Sequence, residues 1–125
     1  MALISMISKV QPEPNIYVES LKTFGHTVEC FSQPTQCVAQ SLRRCPDIIV
    51  LELCRMDQSA GLILLSDMER LRLTIPVVIL SSPSQSQLAQ FANVVVVESD
   101  CLSAFINVVE ELVDHMKMRP LRPTR

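Results

Sequence analysis

Three uninterrupted aliphatic runs constrain this chain most: Ile48-Ile49-Val50-Leu51, Val77-Val78-Ile79-Leu80 and four consecutive valines at 94–97. A strand with one wet face alternates apolar and polar residues. A run without that alternation has to be covered on both faces, which is the habit of parallel sheets layered between helices. The β-branched content of the runs favours strand over helix. Aromatic residues are scarce, with no Trp, one Tyr and four Phe, so the core has to be built from Val, Ile and Leu. At 125 residues and 48% apolar content the chain suits one domain with a genuine core.

The remaining segments alternate around these runs. Residues 2–7 are a short apolar strand. A helix is predicted over 12–24, with Ile16, Leu21 and Phe24 on its inner face and Gly25 as its stop. Thr27–Phe31 reads as a strand. Ser32 then offers an N-cap and Pro34 an early helical position for a helix through Arg44, with Val38 and Leu42 inward. The third strand covers 47–53, residues 54–60 form a polar loop, and a helix over 61–73 turns Leu64, Leu65, Met68 and Leu71 inward. Strands at 76–80 and 94–97 flank at most a two-turn helix at 85–92. The final helix, 102–116, repeats apolar residues at i, i+3 and i+4 from Leu102 to Met116, with Ser99 or Asp100 as its cap. The order is (βα)₅, which with right-handed crossovers gives a doubly wound three-layer sandwich around a five-stranded parallel sheet. A domain of residues 1–116 is followed by a basic, Pro-containing tail or linker, 117–125.

Several functional classes are excluded by simple counts. Only Gly25 and Gly61 are present, so no Gly-rich phosphate loop exists. The tail carries +4, which leaves −6 on the preceding 116 residues of a chain with net charge −2. An acidic body does not suit direct nucleic-acid binding, which needs clustered cations. No apolar stretch is long enough for a membrane span. Cys30, Cys37, Cys45, Cys54 and Cys101 form no CxxC pair and have no His at ligand spacing. An odd, scattered set of this kind predicts reduced core thiols in a cytosolic protein and no metal centre.

Ligand sites in doubly wound sheets lie beyond the carboxyl ends of the strands. Ser8, Lys9, Glu52, Ser81 and Glu98 are therefore the residues on which chemistry would depend. No His falls near them, so Ser81 lacks the oriented base that a nucleophile requires, and no catalytic residue is predicted.

The segment Pro46-Asp47-Ile48-Ile49-Val50-Leu51-Glu52-Leu53 followed by Gly61 resembles the central signature of response-regulator receiver domains. Ile75-Pro76-Val77-Val78-Ile79-Leu80-Ser81-Ser82 is similar to the family's fourth strand, and 92–98 matches the spacing of its fifth. The resemblance runs through residue 116 and implies the flavodoxin-like strand order 2-1-3-4-5. In the family, an Asp closing the third strand accepts a phosphoryl group. Two acids after the first strand help that Asp hold Mg²⁺, and a Thr or Ser and a Lys contact the phosphoryl oxygens. Carried onto this chain, the acceptor position is Glu52 and the hydroxyl position keeps Ser81. The acidic pair becomes Ile7-Ser8 or Ser8-Lys9, the Lys position holds Glu98, and the fifth-strand aromatic is Val95.

A Mg²⁺ site without its acid pair loses most of its hard oxygen ligands. Phosphoryl transfer without metal and Lys has nothing to neutralise its developing charge. The resemblance thus implies a degenerate pseudo-receiver of two-component signalling. It stands outside the phosphorelay, uses no cofactor, and acts through a signalling protein or a second copy of itself. Glu52 is either a fixed imitation of the phosphorylated state, bonding Ser81, or a solvated strand-end carboxylate. Lys9 either pairs with Glu52 or Glu98 or stays exposed. The family's partner face corresponds here to 85–116, including Val95 and an acidic row of Glu110, Glu111 and Asp114. Two other readings stand beside this one: a receiver module of a larger transcriptional or enzymatic regulator, and a small-ligand binder at the strand-end crevice.

Overall fold

The computed structural model describes residues 2–8, 15–81, 93–99 and 101–118. Five parallel strands, β1 (Leu3–Ile7), β2 (Thr27–Phe31), β3 (Ile48–Leu51), β4 (Val77–Ser81) and β5 (Val94–Glu98), lie in the order β2-β1-β3-β4-β5. Four helices are described: α1 (Ile16–Thr23), α2 (Pro34–Arg43), α3 (Gln58–Arg70) and α4 (Leu102–Met118). The expected short helix at 85–92 lies outside the described residues. No described helix is long and apolar enough to cross a membrane.

The aliphatic runs are covered on both faces because neighbouring residues point opposite ways. Ile48 and Val50 pack with Ile4, Met6, Val78 and Leu80 beneath α1 and α4. Ile49 and Leu51 pack with Ile7, Val77 and Ile79 beneath α2 and α3. Phe105 of α4, fully buried, is among the largest side chains of the first core.

Helix phases depart from the sequence reading in two places. In α1 the buried residues are Tyr17, Val18 and Leu21, whereas Ile16 and Phe24 are exposed. In α2 they are Cys37, Val38 and Ser41, and Leu42 faces outward. Both helices are short enough that a starting point shifted by a residue or two selects a different stripe. Asn15 starts α1 by accepting from the amides of Tyr17 and Val18. Gly25 ends it in the left-handed region (φ 91°), while the His26 amide reaches back to the Leu21 carbonyl. Gln33, and not Ser32, occupies the cap position of α2, and Ser32 instead binds the Gln36 side chain.

The stretch expected as a loop after β3 is more ordered than a loop. A 3₁₀ turn, Leu53–Arg55, leads directly into α3, which starts three residues before the buried Gly61. That turn fixes the direction of Arg55, with consequences for the site.

Candidate strand-end site

Each strand end is tied to its neighbour by a ladder hydrogen bond. The Ser8 amide donates to the Phe31 carbonyl, the Glu52 amide to Ile7, and the Ser99 amide to Ser81, all at 2.9 Å. Ser8, Glu52 and Ser81 are thereby brought to one end of the sheet, and all three are buried. Glu98 pairs in register with Ser81 but is exposed. Lys9, and with it the expected pairing to Glu52 or Glu98, lies outside the described residues.

The Glu52 carboxylate is neither solvated nor directed at Ser81. The residue is 3% exposed, and its Oε1 accepts from Ser8 Oγ at 2.5 Å and from Asn15 Nδ2 at 3.2 Å. Its Oε2 pairs with Arg55 Nε at 3.2 Å. No hydrogen bond joins Glu52 to Ser81 among the described residues, so the imitation of phosphate through Ser81 is not the geometry adopted. The longer Glu side chain carries its oxygens past the strand end, towards donors on β1, α1 and the 3₁₀ turn. A buried carboxylate needs such donors, because desolvation without them is costly.

Asn15 and Arg55 escaped the sequence reading. Arg55 follows Glu52 by three residues, the spacing at which a 3₁₀ turn brings side chains together. Asn15 precedes the apolar stretch of α1, where a capping residue belongs.

The donor set does not fit the Mg²⁺ that the receiver fold implies. Among the described residues Glu52 is the one buried carboxylate, and both its oxygens are engaged. One carries the hydroxyl of Ser8, and the other is held by a guanidinium that would repel a dication. Among the described residues, no group of three His, Cys, Asp or Glu side chains is placed to hold a metal. Of the five thiols expected in the core only Cys37 is buried, while Cys30 and Cys45 are exposed and Cys54 and Cys101 half-buried. Desolvation pushes Cys30 and Cys54 up, and pushes Cys37 up to about 11, which disfavours the thiolate at these three positions. Two clefts, of about 490 and 340 Å³, open at the opposite, amino end of the sheet and share Arg72, Leu73 and Thr74.

The acidic row on α4 also divides. Glu111 and Asp114 are exposed, but Glu110 Oε2 meets His26 Nε2 at 2.7 Å. The other ring nitrogen of the buried His26, Nδ1, accepts from the Ala2 amide at 3.1 Å. That bond leaves Nε2 to donate to Glu110, so Glu110 anchors α4 to the start of β2 and is not a free surface charge. The substitution Glu110→Lys orphans a buried ring nitrogen and should lower the unfolding free energy by about 1–3 kcal/mol. The pair Glu111→Lys and Asp114→Lys should stay within about 0.5 kcal/mol. Urea unfolding of the two variants checks the contrast.

No family model matches the chain, and no curated protein matches it. Solved structures do. It is similar to NtrX from Brucella abortus in complex with ADP, at 18% identity and TM-score 0.74, over 94% of this chain and 27% of that one. It is similar to the N-terminal domain of a response regulator/sensory box/GGDEF 3-domain protein from Carboxydothermus hydrogenoformans, at 18% identity and TM-score 0.67, over 92% and 96%. A LuxR-family DNA-binding response regulator from Staphylococcus aureus matches at 12% identity and TM-score 0.67, over 90% and 98%. The chain has the fold of response-regulator receiver domains, and it spans about a quarter of the NtrX chain.

Proposed function

We propose that the chain is a receiver-fold signalling module that is not phosphorylated and works by binding another protein. One observation carries this reading: the carboxylate at the acceptor position is already occupied by Ser8, Asn15 and Arg55. A phosphoacceptor must present a free oxygen in line with the donor and share a metal with it. Glu52 presents neither, and Glu98 adds negative charge where the reaction needs a cation. The module is regulated by what it binds, and it is not an enzyme.

The binding face is assigned to β5 and the outer side of α4. Val95 is 37% exposed and Val96 half-buried on an edge strand, so β5 offers apolar surface. Glu111 and Asp114 add exposed negative charge, which suits a partner with apolar and basic surface. Replacing Glu111 and Asp114 together by Lys should weaken association with a partner or with a second copy. In the native chain that association should fall with salt, because exposed charges are screened beyond roughly 10 Å at 0.1 M. Sedimentation velocity at low and high salt measures self-association, and titration calorimetry measures it with a purified partner. Equal association of native and double-variant chains at both salts would transfer the role to the strand-end site.

The NtrX match favours a second reading, in which the domain regulates an output domain on the same polypeptide. The coding sequence beyond Arg125 decides between them.

A further inference from the structure

The contacts around Glu52 continue beyond it. Asn15 uses the two ends of its amide on two elements. Its Nδ2 donates to Glu52, while its Oδ1 caps α1 by accepting from the amides of Tyr17 at 2.9 Å and Val18 at 3.2 Å. Tyr17, in that capped turn, donates its hydroxyl to the Ser99 carbonyl between β5 and α4. Its ring meets Phe105 edge-on, with centroids 5.2 Å apart and planes at 80°. Phe105 is fully buried, and its amide bonds to the Cys101 carbonyl at 3.1 Å in the first turn of α4. The outer end of this series is Arg55, whose side chain is 55% exposed while that of Glu52 is 4% exposed. One member is therefore accessible to an incoming group, and the others carry its effect inward through directional bonds and a packed ring pair.

We propose that Arg55, Glu52, Asn15 and Tyr17 form a coupling route by which withdrawal of Arg55 from Glu52 alters the first turn of α4. Among the described residues, drawing Arg55 away leaves the buried carboxylate with two neutral donors, Ser8 and Asn15, and strengthens its demand on both. Asn15 also caps α1, so a shift in its amide moves the turn that carries Tyr17. Tyr17 is a positioning residue: it fixes where the β5–α4 junction and Phe105 sit. The route passes through α1 and not along β4, since Glu52 makes no hydrogen bond to Ser81. It does not depend on which protein α4 binds, so it stands or fails separately from the association described above.

Amide hydrogen exchange on the 125-residue chain, followed by NMR, tests the route, because exchange reports local opening residue by residue. The readout is the Phe105 amide, normalised to buried amides of α3, such as that of Met68, so that a global change in stability cancels. Arg55→Ala removes an exposed side chain and should change Phe105 exchange about threefold or more, a size that packed networks transmit. Two backgrounds cut the route while sparing the local structure. Asn15→Ser keeps a cap oxygen but loses the reach to Glu52. Tyr17→Phe keeps the ring on Phe105 but loses the bond to Ser99. In either background, Arg55→Ala should leave Phe105 exchange unchanged, whereas in a Ser81→Ala background the response should persist. An unaltered Phe105 amide in the Arg55→Ala chain would overturn the proposal. So would an undiminished response in the Asn15→Ser and Tyr17→Phe backgrounds, or a response abolished only by Ser81→Ala.

Discussion

Replacing Glu52 by Leu should lower the unfolding free energy by about 2–4 kcal/mol, although the change adds apolar volume at a buried position. The substitution leaves the buried Ser8 hydroxyl without its acceptor, at about 1–3 kcal/mol, and the half-buried Asn15 amide, which water can reach, adds less. It also deletes the ion pair to Arg55. That term is small, because the guanidinium is more than half exposed and screened by water. Glu52→Gln should cost less, since an amide oxygen still accepts from Ser8. The contrast separates this site from an ordinary strand end, where the same substitutions would stay within about 0.5 kcal/mol. Urea unfolding of the two variants reads it directly. Equal, near-zero effects would mean that the carboxylate is hydrated and its three contacts contribute nothing.

The second large effect is a failure to regain function. Glu52→Asp restores the residue that receiver domains phosphorylate, yet it should take up no phosphoryl group from acetyl phosphate in the presence of Mg²⁺. Shortening the side chain withdraws the oxygens from Asn15 and Arg55 but supplies no second or third carboxylate. By the resemblance to receiver domains, Ser8 would still occupy the metal-binding position and Glu98 the position where the reaction needs a Lys. Metal and cations are the whole of the catalytic apparatus in such a transfer, so correcting one ligand leaves the barrier in place. Mg²⁺-dependent labelling of this single variant would show that Ser8 and Glu98 tolerate the chemistry after all.

How much of this was legible in the sequence follows from the range of the interactions involved. The strand order and the layer arrangement depend on local patterns, namely the apolar runs and the spacing between them. The placement of Ser8, Glu52, Ser81 and Glu98 at one end of the sheet follows from topology alone, because each closes a parallel strand. The phase of α1 was not legible. Apolar residues surround an eight-residue helix, and only the cap at Asn15 decides that Tyr17 and Val18 face the sheet. On α2, Leu42 faces outward because the buried stripe runs through Cys37, Val38 and Ser41.

The partners of Glu52 were out of reach for a different cause. Whether a strand-end carboxylate is hydrated or buried depends on the path of the following loop, and a 3₁₀ turn has little sequence signal of its own. The pair His26 and Glu110 lies 84 residues apart and forms only because α4 crosses the start of β2. Nothing local to either residue announces it, so Glu110 was placed with Glu111 and Asp114 in the expected partner face. In fact one of its members is a structural anchor.

With Glu52 held by Ser8, Asn15 and Arg55, this receiver fold is proposed not to use phosphate. The most direct test is the intact mass of the native chain after incubation with acetyl phosphate and Mg²⁺. An unmodified mass is expected at every time and metal concentration, under conditions in which a receiver domain with its full acidic set is labelled. A Mg²⁺-dependent adduct of one phosphoryl group, lost when Glu52 is replaced by Gln, would contradict it.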